Sequence, residues 1–136
     1  MNKKQKSLNN KGFSLVELII VIAIMAVLIG VLAPQYLGYV KNSKIYTDLQ
    51  NAESLATQIA VVAADAEAGT TAVTLSSSYA AVTDVTGLVE PSVKATTGGH
   101  FYYKYANNTV YISISTAVPT DDTKQVYPTV ENTDYQ

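Results

Sequence analysis

The chain changes its apolar rhythm twice, and each rhythm predicts a different element. From Phe13 to Ala33 the run FSLVELIIVIAIMAVLIGVLA is apolar at nearly every position. A helix with that pattern has no polar face to offer water, and these 21 residues would span about 31 Å, close to the hydrocarbon thickness of a bilayer. Past Pro34 the apolar residues thin to one every three to five positions: Tyr36, Val40, Ile45, Leu49, Ala52, Leu55, Ala56, Ile59, Val62, Ala63 and Ala66. Lys41, Lys44, Asp48, Asn51, Asp65 and Glu67 fall between them, the spacing of an amphipathic helix. Lys44 and Asp48 stand four apart, which predicts a solvated pair of a few tenths of a kcal/mol. Gly69 is a fitting terminator, so one helix is predicted from Ser14 to about Ala68.

The third rhythm is strict alternation in HFYYKYANNTVYISIS, residues 100–115. With Asn107 and Asn108 as a two-residue turn, the numbers of opposed residues sum to 215, the geometry of a hairpin. Phe101, Tyr103 and Tyr105 then oppose Ile114, Ile112 and Val110 on a face turned to the helix. Lys104 with Tyr111, Tyr102 with Ser113, and His100 occupy the wet face. An isolated hairpin is marginal, and Gln125 to Val130 can supply a third strand, which Pro128 confines to an edge. Residues 70–99 read as a surface loop of limited structure, with β-prone pieces at Ala72–Leu75 and Tyr79–Val85. The fold class expected is α+β: a long N-terminal helix, transmembrane in its first half, packed by its second half on a small antiparallel sheet.

Charge adds a direction to this plan. Lys3, Lys4, Lys6 and Lys11 precede the apolar run, whereas beyond Gly12 five lysines face eleven acidic residues. Basic residues before a span stay cytoplasmic, so the remainder is expected outside. A chain so acidic past its start lacks the footprint of a dedicated nucleic-acid binder. Cysteine is absent, which excludes disulfides and thiolate chemistry.

Glu17 is the anomaly. A carboxylate inside a span costs about 2.5–3.5 kcal/mol, which neither a cleaved secretory signal nor a plain anchor explains. If the backbone were cut between Gly12 and Phe13, a new amine would lie four residues from Glu17. An ammonium is the natural counter-charge for a carboxylate in low dielectric. Between two laterally packed, staggered helices, Glu17 of one copy would meet the amine of the next.

The basic leader, Lys11-Gly12, Phe13-Ser14-Leu15-Val16-Glu17, the apolar run and Pro34 together resemble the prepilin signature of type IV pilins and pseudopilins. The resemblance covers about 24 residues, Lys11 to Pro34, and has several implications. It implies cleavage after Gly12 by a prepilin peptidase, N-methylation of Phe13, and subunit assembly through Phe13 and Glu17. It places a melting or kink point between Gly30 and Pro34, where a poor helix former precedes a residue without an amide donor. The domains expected are a leader over 1–12, a membrane and assembly helix over 13–34, and a head over 35–136. The partners it implies are further copies in a helical filament, the peptidase, a platform protein and an assembly ATPase. The precursor is expected in the cytoplasmic membrane and the product in an extracellular pilus. A pseudopilin of type II secretion or of a competence pilus shares the same N-terminus, and a non-assembling anchored binding module is the reading from another class.

No other chemistry competes. His100 is the single histidine and general acid–base work requires partners and a pocket, so it is expected to be a solvated strand residue. Asp121, Asp122, Glu131 and Asp134 are expected to be solvated loop carboxylates, since their spacing matches no EF-hand. Asn107-Asn108-Thr109 has sequon form, which its turn role already explains. The expectation is a non-enzyme with no cofactor, metal site or catalytic residue.

Overall fold

The computed structural model describes residues 12–136; the basic leader expected from Lys3 to Lys11 lies outside the described residues. One helix, α1, runs from Leu15 to Glu67 with Pro34 inside it, within a residue of the predicted ends. Its start is fixed by Ser14, whose Oγ accepts the Glu17 amide at 3.2 Å while a Glu17 carboxylate oxygen accepts the Ser14 amide at 3.1 Å. This reciprocal pair is a capping box. Its end is fixed by Gly69, at φ +72°. The Thr70 amide donates to Asp65 O at 3.0 Å and the Gly69 amide to Ala66 O at 3.1 Å, the two bonds of a Schellman motif. The described chain falls into two units, one ending at Tyr39 and one running from Val40 to Gln136.

In the first unit every side chain from Phe13 to Tyr39 is exposed. Leu18, Ile19, Ile20 and Val21 each present half or more of their surface. The helix is long and apolar enough to cross a membrane.

In the second unit α1 packs on a four-stranded antiparallel sheet of order β1-β2-β3-β4. The strands are β1 Ala80–Ala81, β2 His100–Ala106, β3 Thr109–Ser115 and β4 Gln125–Tyr127. Ile45, Ala52, Leu55, Ala56, Ile59 and Ala63 of α1 are buried with Phe101, Tyr103, Val110, Ile112, Ile114 and Val126 of the sheet. The β2–β3 register is the one predicted, from His100 opposite Ser115 to Ala106 opposite Thr109. Asn107 and Asn108 turn it with φ of 52° and 60°, as a type I′ turn requires. β4 ends before Pro128 on an edge, as expected of a residue with no amide to donate.

Three expectations are corrected. Tyr102 and Ser113 are buried instead of wet. Tyr102 pairs with Ala81 and Ser113 with Gln125, so β2 and β3 are interior strands whose outer neighbours come from distant sequence. Residues 70–99 are not merely a surface loop. Ala72–Leu75 forms no strand and only Ala80–Ala81 pairs, yet Val82 and Val85, around a 3-10 turn, are almost wholly buried in the core. Asp48, expected on the solvated side beside Lys44, is fully buried.

Candidate functional site

The residues singled out by the sequence lie in one stretch, and their placement follows from local backbone chemistry. Gly12 and Phe13 precede the helix in irregular, exposed backbone, with Phe13 94% exposed. Ser14 and Glu17 sit one turn further on and hold each other through the capping box. This contact was legible as Ser-x-x-Glu before an apolar run, and it was missed. It gives Glu17 a second employment within its own chain, because a carboxylate in the first turn also faces the positive end of the helix dipole. The box spends one carboxylate oxygen on the Ser14 amide and leaves the carboxylate exposed.

Gly30 lies on α1 with open space where a Cβ would stand. Pro34 lies within the helix, where its ring removes one backbone donor. The structure thus holds an unbroken helix across the predicted melting point.

In the second unit two polar clusters have no counterpart in the sequence reading. Asp48 accepts the Lys94 and Ala95 amides at 2.7 Å each, and the Tyr135 hydroxyl at 2.9 Å. Its position follows the three-and-four spacing of Ile45, Ala52, Leu55 and Ile59, which was the signal that it faces inward. Burial, with the hydrogen bond that the hydroxyl donates to Asp48 added, holds the Tyr135 phenol well above its ordinary value.

The other cluster centres on Lys104. Its ammonium pairs with Asp122 and lies over the rings of Tyr79 and Tyr111, at 4.8 and 4.6 Å from their centroids. The Tyr79 hydroxyl also donates to Asp122 at 2.9 Å. The hydrogen bond from Lys104, aided by that from Tyr79, lowers the Asp122 carboxyl below its ordinary value. The four tail carboxylates are exposed, as loop carboxylates are, and three of them have partners within 3.2 Å as well. Asp122 is paired, Asp134 meets Lys124 at 3.2 Å, and Asp121 caps the turn at Thr123 at 3.0 Å. His100 is exposed, 3.3 Å from Glu90, whose other task is to accept the Phe101 amide at 2.7 Å.

None of these clusters combines a nucleophile, a base and a substrate-sized enclosure. Their chemistry is that of fasteners. The exposed apolar helix beginning at Phe13 is the feature that the fold leaves unemployed.

The comparison with known families agrees with where that feature lies. Residues 7–33 match the prokaryotic N-terminal methylation motif. No solved structure matches the chain. The matched stretch carries the class III signal peptide, with Gly12, Phe13 and Glu17 inside it, ahead of an α+β head. That motif supports a type IV pilin-like or pseudopilin precursor, and the helix that follows it is long and apolar enough to cross a membrane.

Proposed function

We propose that this chain is a structural subunit of a type IV pilus. Residues 1–12 are the leader, 13–34 the membrane and assembly helix, and 35–136 the head. Prepilin peptidase cleaves after Gly12 and methylates the Phe13 amine. Before assembly the helix stands in the cytoplasmic membrane with its basic end inside. During assembly by a platform protein and an ATPase it exchanges lipid for the helices of other copies. One observation carries the reading: an apolar helix exposed along its first half begins with an accessible Gly12-Phe13 and holds a single carboxylate, Glu17, one turn from the cleavage point. Lipid and neighbouring helices are equally apolar surroundings, so burial persists when one replaces the other.

Glu17 then has two successive roles. In the precursor it caps its own helix. In the filament its exposed carboxylate meets the free Phe13 amine of a neighbour, an opposite charge in low dielectric. Gly30 and Pro34 mark where α1 loosens as the subunit leaves the membrane. Hydrogen exchange along Val31 to Tyr36, faster in the fibre than in the detergent-solubilised precursor, is the result this requires.

The deciding experiment is mass spectrometry of fibres sheared from the cell surface. A terminus at methylated Phe13 in that fraction is the expected result. An intact leader on a chain found only in membranes overturns the proposal. Short fibres, seen only with secretion or uptake machinery, would assign the same N-terminus to a pseudopilus.

A further inference from the structure

Within the second unit α1 carries its exposed charges in two separate blocks. Lys41 and Lys44 stand at one end, and Glu53, Asp65 and Glu67 follow further along. The ion pairs among the described residues employ neither lysine and none of these three acids. Glu67 has only the neutral Tyr105 hydroxyl, at 3.2 Å.

Glu67 also closes one end of a groove of about 480 Å3 between α1 and the hairpin tip. Ala60, Ala63 and Ala64 form its floor, and Tyr105 and Tyr127 stand on the other side. At about 100° per residue, Lys44 lies roughly 140° around the helix axis from Glu67 and 160° from Ala60. Lys44 and the groove therefore lie on opposite sides of the same helix, with Lys41 between them, about 80° from Glu67. A contact between two different patches of identical chains is heterologous, and its repetition generates an open filament instead of a closed pair.

We propose that the groove receives the lysine flank of a second, parallel copy, with Lys44 of that copy on Glu67. The inference rests on the filament-subunit reading and deepens it by fixing the stagger of one pair of neighbours. Charge complementarity identifies the occupant. The stretch Val40–Ile45 bears two lysines and no acid, while the groove bears Glu67 and no base. Alanines let two helix backbones approach closely. A lysine stem packs on such a floor while its ammonium reaches past it. With Lys44 on Glu67, the two copies are offset by 23 residues of helix, about 35 Å at 1.5 Å per residue. In that register Lys41 falls over Ala64 and Val40 over Ala63.

The absence of cysteine makes a clean test. Full-length chain carrying Lys44→Cys and Glu67→Cys is expressed in its own cells, and sheared fibres are treated with a short bismaleimide. The two thiols of one chain lie too far apart on the helix to be bridged, so a covalent ladder of many copies is the expected result, with at most dimers from either single variant. Fibres that form and give no ladder overturn the proposal. A ladder from Lys44→Cys with Glu53→Cys in its place, or a bridge from position 67 to a different protein, overturns it as well. Where the cysteine variant makes no fibres, charge exchange decides. Lys44→Glu alone is expected to lose sheared fibres and Lys44→Glu with Glu67→Lys to regain them, and failure to regain them counts against the contact. Absence of fibres from the unaltered chain is a failure of the subunit reading itself, separate from all of these.

Discussion

The hydroxyl of Tyr135 donates to Oδ2 of Asp48 at 2.9 Å, so the penultimate residue is fastened to the helix that begins the head. The same carboxylate holds the 94–95 backbone through two amides. One buried side chain thus gathers helix, loop and tail in a chain that has no disulfide to do so.

Replacing Asp48 by Ala leaves three donors without their acceptor, each at about 1–3 kcal/mol when buried. The expected loss is about 3 kcal/mol or more, read as a lower midpoint in thermal unfolding of the detergent-solubilised chain. Tyr135→Phe removes the bond to Asp48 and the 3.1 Å bond with the Thr96 hydroxyl and leaves the two amide bonds, so its expected cost is about 1–3 kcal/mol.

Glu17→Gln separates the two employments of that residue. Glutamine completes a capping box as glutamate does, so the helix start and cleavage at Gly12 are expected to survive. The charge is gone, so assembly into sheared fibres is expected to fall sharply. Wild-type amounts of fibre from Glu17→Gln would mean that capping alone accounts for the glutamate. Ser14→Ala is the complementary variant, with about 0.5–2 kcal/mol lost from the helix start.

The head should weaken at both ends of the pH scale. The Asp122 carboxyl is lowered by Lys104 and Tyr79 from an ordinary value of 3.8. Its contribution is complete above that value and is lost as pH falls through the lowered native one. Exposure of this side chain to solvent keeps the effect small. The Tyr135 phenol is raised from 10.0 by burial and by Asp48. Its contribution is complete below pH 10 and is lost as pH rises through the raised value. Unfolding midpoints measured across pH should fall at both extremes, less steeply at the acid end in Asp122→Asn and at the alkaline end in Tyr135→Phe.

The hairpin turn predicts a sign as well as a size. Asn108 at φ 60° also accepts the Tyr105 hydroxyl at 2.7 Å. Asn108→Val places a β-branched residue in left-handed backbone, at about 1–2 kcal/mol, and removes the acceptor too. Asn108→Gly relieves the backbone and loses only the acceptor. Urea denaturation should rank them wild type, glycine, valine in falling stability.

Local chemistry made much of this protein legible in its sequence. Backbone and side-chain periodicity act within a few residues, so the helix ends at Ser14 and Gly69, the asparagine turn, and the pairing of Phe101 with Ile114 could be read directly. The membrane-length run and the Gly12-Phe13-Glu17 signature are local too. What lay beyond reach depends on which distant segments meet. Asp48 had the spacing of an inward residue, but only Lys94, Ala95 and Tyr135, brought from 46 to 87 positions away, make burial of its carboxylate tolerable. Tyr102 and Ser113 alternate like wet-face residues, yet both are buried, beside Ala81 and Gln125 of the flanking strands, and of those strands only β4 was expected. The Asp48 carboxylate needs partners that sequence spacing does not name, so tertiary structure alone decided that it left the water, whereas the Ser113 hydroxyl is buried with no partner among the described residues.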